Sequence, residues 1–227
     1  MRKQLSAETI YVGLYVLPRG ALRSELLAAL RQARKARRPR TRGRDRRGQI
    51  PHMTSIVERP ADVATRTVPG HWEGDLIKGA HNGSAVGTLV ERTTRLVILA
   101  KMTGTDATSA RQGFTKKLRH VPALLRKTLT YDRGNERAEH EQLAQRLAIQ
   151  IFFADPYSPW QRGTNENTNG LLRQYLPKGT DLSGYTQREL NAIAHRLNTR
   201  PRKCLNFATP LEVSAQLRPH SPVARGT

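Results

Sequence analysis

A single cysteine, Cys204, stands in 227 residues. An internal disulfide needs two thiols and a cysteine-rich zinc site needs several thiolates, so both are excluded, and a reducing cytoplasm fits. His71, His81, His140 and His195 show no HExxH spacing, which disfavours a histidine-based zinc site. No apolar run approaches the ~20 residues that cross a bilayer, so no membrane partner is expected. Met1-Arg2-Lys3-Gln4 is not followed by an apolar core of the signal-peptide type, and the expected location is the cytoplasm, associated with the nucleoid. Internal repeats are also missing. Acidic side chains are scarce: 18 Asp and Glu face 39 Lys and Arg, a formal net charge of +21.

That excess is concentrated near the start, where residues 1–69 hold 16 basic and 5 acidic side chains. A field of this kind binds polyanions by phosphate contact and counterion release, and double-stranded DNA is the expected partner. Within it, Arg37, Arg38, Arg40, Arg42, Arg44, Arg46 and Arg47 are opposed only by Asp45. Like charges at this density repel, so the segment is expected to stay extended until phosphates order it.

Four regions follow from the patterning. Residues 1–38 carry two helical segments, one starting at Ser6-Ala7-Glu8 and one over Ala21–Lys35 with Leu22, Leu26, Leu27 and Leu30 at helical spacing. Neither could bury a core alone, and together they read as the remainder of a larger N-terminal region. Residues 39–69 are a basic linker in which Pro51, Pro60 and Pro69 mark an irregular crossing. Residues 70–217 form an α/β domain, and residues 218–227 a disordered tail.

In the α/β region, strands are predicted at His71–Ile77, Val86–Glu91, Leu96–Lys101, Thr128–Tyr131 and Ile149–Phe153. Helices are predicted at Asp106–Leu118 with Thr105 as cap, Arg137–Leu147, Thr164–Tyr175, Thr186–Asn198 and from Thr209 onward. Three strands followed by alternating helices and strands imply a mixed five-stranded sheet flanked by helices.

Two acids end strands in this scheme, Asp75 in His71-Trp72-Glu73-Gly74-Asp75-Leu76-Ile77 and Asp132 after Leu129-Thr130-Tyr131. A third, Glu166, opens a polar helix, with 33 residues between it and Asp132. Carboxylates gathered at one end of a sheet are hard oxygen ligands for a pair of divalent ions, the arrangement that activates an attacking oxygen and stabilises a leaving oxygen in phosphodiester chemistry. Asn169 and Arg173 share the face of Glu166 by the i, i+3, i+7 rule. Glu73, two residues before Asp75, points to the same side of its strand and is more readily structural than catalytic. Trp160 has two readings, stacking on a base or packing beneath the neighbouring loop, and packing is the favoured one.

The motifs HWEGDLI, TYDRGNE and SPWQRGTNENTNGLLRQYLPKG resemble the signatures of bacterial insertion-sequence transposases of family thirty. The resemblance covers about residues 6–217. It implies an integrase-type catalytic core of ribonuclease-H-like fold with an Asp-Asp-Glu triad at Asp75, Asp132 and Glu166, served by two Mg2+ ions or by Mn2+. It also implies DNA contacts by Asn169, Arg173 and Lys178, cleavage at DNA 3′ ends followed by strand transfer, and a homo-oligomer assembled on transposon ends and target. Family proteins begin with helix-turn-helix segments, and this chain starts at what resembles the end of that region. A second expectation follows: a truncated, non-catalytic DNA-binding remnant that inhibits full-length transposase.

Overall fold

Apolar side chains of both parities in the strands, as in Leu76-Ile77 and Leu89-Val90, call for a sheet covered on both faces, and the computed structural model of the chain contains one. It describes residues 7–18, 20–29, 52–132, 139–156 and 158–217; the arginine run from Arg37 to Arg47 and the tail lie outside these residues. Contacts divide the chain into two units, Met1–Arg44 and Asp45–Thr227. In the first unit, helix α1 (Ala7–Val16) and helix α2 (Ala21–Ala29) pack on each other, and Arg23 Nη2 donates to the Tyr15 carbonyl at 3.4 Å.

The second unit is built on five strands: β1 (His71–Lys78), β2 (Ala85–Glu91), β3 (Val97–Lys101), β4 (Thr128–Tyr131) and β5 (Gln150–Phe153). Their order is β3-β2-β1-β4-β5, with β1 antiparallel to β2 and parallel to β4. The tight turn after β2 allows the antiparallel pairing with β3. Parallel neighbours need a crossover, and helix α4 (Ala107–Leu118) leads into β4 while helix α5 (His140–Leu147) joins β4 to β5. The predicted mixed sheet is therefore present.

Side chains alternate across the sheet with a period of two. Trp72, Leu76, Leu89, Leu129, Tyr131 and Phe153 join Phe114, Leu118, Leu143 and Leu147 of α4 and α5 in one buried cluster. Ile77, Val86, Val90, Val97 and Leu99 join the other cluster, formed with Leu172 of helix α6 (Gly163–Leu172) and Leu190, Ile193 and Leu197 of helix α7 (Gln187–Asn198). Glu73 and Asp75 share the parity of Ile77, so both turn toward the α6 side. Gly74 has the opposite parity and lies on Tyr131: a Cβ there would run into Tyr131 Cε1 and lie 3.0 Å from Cδ1.

Helix ends follow side-chain chemistry, with corrections to the predicted cap of α4 and to the bounds of α5 and α6. The cap of α4 is Asp106, not Thr105; Asp106 is extended at ψ 171° and its Oδ1 accepts from the Ser109 N–H at 2.9 Å. A carboxylate outcompetes a hydroxyl there because it is acceptor-only and charged at the positive end of the helix dipole. Thr186 with Glu189, and Thr209 with Glu212, form reciprocal capping boxes at α7 and at helix α8 (Pro210–Gln216). The helix predicted to run to Tyr175 ends at Leu172, and α5 begins at His140.

The segment before Gly70 is more ordered than its prolines imply. Ser55 and Glu58 close a capping box around the short turn Ile56–Glu58, and Asp62–Thr65 forms a one-turn helix α3. Ile56 and Val63 are buried, the Phe153 N–H donates to the Thr54 carbonyl at 2.9 Å, and Arg59 Nη1 donates to Thr130 Oγ1 at 3.2 Å. The segment thus covers the open edge of β5, which would otherwise present unpaired backbone groups.

Candidate active site

Asp75 lies in the central strand and Asp132 directly follows β4, the parallel neighbour of β1, so pairing brings the two carboxylates to the same side of the sheet. Arg162 lies between them. Its Nη1 is 3.8 Å from Asp75 Oδ2 and its Nη2 is 3.4 Å from Asp132 Oδ2, with all three side chains only partly exposed. At an effective dielectric of about 20, a unit charge pair near 4 Å is worth roughly 4 kcal/mol before desolvation, enough to offset the mutual repulsion of two neighbouring carboxylates. Asp75 is further fixed by Asn169, whose Nδ2 donates to Asp75 Oδ2 at 2.9 Å, and by the Leu76 N–H on Oδ1 at 2.9 Å.

Helix α6 carries Glu166 and Asn169, with Arg173 as its C-cap, and a buried ion pair holds it down. Glu73 is fully buried and accepts from Arg92 Nη1 at 2.6 Å on one oxygen and from the Asn165 backbone N–H at 2.8 Å on the other. The first-turn N–H groups of a helix have no partner within it, so this carboxylate acts as a cap supplied from the sheet. Burial lowers the Arg92 pKa and Glu73 opposes that shift. Thr88 Oγ1 donates to Asn165 Oδ1 at 3.2 Å and adds a second tether between β2 and the helix.

Of the predicted triad, Asp75 and Asp132 are brought together around one guanidinium, whereas Glu166 is exposed on α6. Among the described residues no three His, Cys, Asp or Glu side chains are gathered as a metal-binding group. Asn169 touches Asp75, while Arg173 donates to the carbonyls of Lys78, at 3.4 and 3.3 Å, and Leu176, at 3.3 Å. Burial lowers the Arg173 pKa, and the Asp75 charge acts in the opposite direction. Lys178 is exposed. The seven arginines from Arg37 to Arg47 lie outside the described residues.

The integrase core domain family matches residues 66–159. The transposase for insertion sequence element IS1086 of Cupriavidus metallidurans is 62% identical over 213 residues, which are 94% of this chain and 63% of that protein. The transposase InsI of element IS30A from Escherichia coli K12 is 46% identical over 213 residues, 92% of this chain and 55% of that protein. The chain belongs to the IS30-family transposases. It spans between about half and two thirds of the length of these relatives. A chain of the simian T-cell lymphotropic virus intasome, in complex with PP2A regulatory subunit B56 gamma, superposes with a TM-score of 0.52 at 19% identity, covering 81% of this chain and 66% of that one. The fold is thus the ribonuclease-H-like, integrase-type core.

Within this family core the donor set fits a hard divalent cation. Asp75 and Asp132 turn charged oxygens toward one positive group, and Asn169 Oδ1 is buried without a hydrogen-bond partner. Two participants went unassigned in the sequence. Arg162 sits in the Trp160-Gln161-Arg162-Gly163 motif, where a basic residue four positions before Glu166 was the available signal; Arg92 had none, because its partner Glu73 is distant in sequence. The expectation that Trp160 packs under the loop is overturned, since its side chain is 72% exposed. The preceding loop is instead fastened by Gln161, which accepts from the Asp155 N–H at 2.7 Å and donates to Asp155 Oδ2 at 2.9 Å. Among the described residues no helix is long and apolar enough to cross a membrane.

Proposed function

We propose that this chain carries the catalytic core of an insertion-sequence transposase, which cuts DNA at the element's 3′ ends and joins the liberated hydroxyl to target DNA. The observation that carries the reading is the pairing of Asp75 and Asp132 around Arg162, with the helix bearing Glu166 tied to the same sheet face through Glu73. Asp75, Asp132 and Glu166 are the proposed catalytic residues and the ligands of two Mg2+ ions, for which Mn2+ can substitute. When bound, such ions activate the attacking oxygen and stabilise the leaving oxygen of the phosphodiester.

The chain's own groups do the positioning. Asn169 and the Leu76 N–H orient the Asp75 carboxylate. Arg162 holds Asp75 and Asp132 at close range and carries positive charge where phosphate must approach. Lys178 and the arginines from Arg37 to Arg47 contribute phosphate contacts, which set affinity and register rather than sequence choice. Arg173 keeps charge near Asp75 while bound to backbone carbonyls. Double-stranded DNA is the substrate, and joining two ends calls for a homo-oligomer assembled on it, in the cytoplasm at the nucleoid.

The exposure of Glu166, with no three carboxylates gathered among the described residues, favours a second reading, a DNA-binding protein without strand chemistry that inhibits longer relatives. Cleavage and strand joining of a labelled duplex bearing an insertion-sequence end, measured with and without Mg2+ for the wild type and Glu166→Gln, separates the two. Mg2+-dependent products that vanish in the variant support catalysis; salt-sensitive binding without products in either protein supports the second reading.

A further inference from the structure

Single exposed apolar side chains are ordinary on protein surfaces, so the exposure of Trp160 gains meaning only from how its backbone is held. It occupies the single turn Pro159–Arg162, and each side of that turn is fastened. On the N-terminal side the Ser158 N–H donates to the Asp155 carbonyl at 3.3 Å, and the Gln161 amide engages Asp155 through both its oxygen and its nitrogen. On the C-terminal side the Gln161 carbonyl accepts from Arg92 Nη1 at 3.4 Å, and Arg162 donates to the Gly74 carbonyl at 3.4 Å while facing both aspartates. The indole is thus presented outward from a fixed turn, two residues from the guanidinium that joins the two carboxylates.

A flat, exposed aromatic ring on a fastened turn beside a cationic group has the chemistry to receive a nucleobase face, because stacking needs area and orientation while phosphates supply the charge complement. Bases inside a duplex already stack on each other. A base becomes available where pairing is lost, at a frayed end or an unpaired nucleotide. Every base has such a face, so the contact reports strandedness and not sequence.

We infer that Trp160 is a stacking platform for an unpaired nucleobase next to the phosphodiester held at Asp75 and Asp132. This rests on the transposase reading for its location on DNA, but the stacking contact itself needs neither metal nor cleavage. The ring holds open a nucleotide beside the reacting bond, and DNA ends with unpaired terminal bases bind better than fully paired ones.

The test is binding in EDTA, with the full chain and a duplex carrying 2-aminopurine in an unpaired terminal stretch, beside a fully paired duplex of equal length. Wild type, Trp160→Ala, Trp160→Phe and Trp160→Leu are compared after circular dichroism confirms that each is folded. Trp160→Ala and Trp160→Leu are expected to weaken binding of the unpaired duplex by roughly tenfold, the scale of one aromatic stack. Trp160→Phe keeps most of the affinity and of the 2-aminopurine quenching. Binding of the paired duplex, and the slope of log K against log salt, stay unchanged because no phosphate contact is removed. Equal affinity of wild type and Trp160→Ala for the unpaired duplex overturns the inference, as does an equal loss on both duplexes. Failure of the transposase reading shows separately, as absence of Mg2+-dependent products from wild type, whatever the stacking assay reports.

Discussion

Replacing Glu73 by Leu removes a carboxylate that is fully buried and bonded at 2.6 Å to a guanidinium itself only 5% exposed. The variant leaves the Arg92 charge enclosed without its partner, a change that costs about 3–5 kcal/mol in comparable buried pairs. Since domains are typically stable by about 5–15 kcal/mol, that is a large share of the whole. Arg92→Met leaves the buried carboxylate its hydrogen bond from the Asn165 N–H but no bonded cation, and a similar cost is expected. In Glu73→Leu combined with Arg92→Met no buried charge is stranded. What remains is the unpaired Asn165 N–H at the start of α6, worth about 1–3 kcal/mol. The single costs should therefore sum to about 6–10 kcal/mol while the double variant loses only about 1–3, a coupling of several kcal/mol. Urea unfolding of the four proteins, with equal m values as the check on two-state behaviour, measures it. Single costs that add to the double cost within about 0.5 kcal/mol would refute the argument that the pair acts as a unit.

Three other outcomes follow. Gly74→Ala forces a methyl onto the Tyr131 ring and should cost about 1–3 kcal/mol, lowering Tm by roughly 2–4 °C per kcal/mol, as followed by circular dichroism; an unchanged Tm would mean the ring yields freely. His71 is buried, which lowers its pKa. The unfolded chain then binds a proton near pH 6.5 that the folded chain resists, so His71 lets stability stand in full above about pH 6.5 and fall as the pH drops below it. His71→Asn should flatten that dependence in urea titrations, and an identical pH slope would rule the residue out as its source. Changing Arg40, Arg42 and Arg44 together to Gln should make the slope of log K against log salt for duplex DNA shallower by up to about 2.7, and an unaltered slope would mean these side chains meet no phosphate.

The strands were legible because β1, β2 and β4 combine β-rich apolar alternation with flanking turn residues, and the parity of Asp75 with Ile77 could be read directly. Segment 52–69 was not, although Ser55-Ile56-Val57-Glu58 has capping-box spacing: the box closes a single turn whose support comes from Thr54 and Arg59 meeting β5 and β4, contacts that no local pattern encodes. The misplaced cap of α4 reflects two adjacent capping residues, Thr105 and Asp106, that only backbone geometry separates. At the site, carboxylates announced themselves through strand ends and a recognisable motif. Their cationic counterparts, Arg92 and Arg162, meet them across 19 and 87 residues of sequence and follow from the fold alone.

The alternation along β1 makes that stretch sensitive to length as well as to composition. Deleting one residue between Trp72 and Asp75 would put both on one face of the strand, so that either the carboxylate enters the cluster around Phe114 or the indole swings under α6. Deleting two would restore the facing but slide Asp75 by about 6.6 Å along the strand, out of reach of Arg162. An apolar exchange at Leu76 or Ile77 leaves the facing of the carboxylate as it is, whereas the gain or loss of a single codon between Trp72 and Asp75 does not.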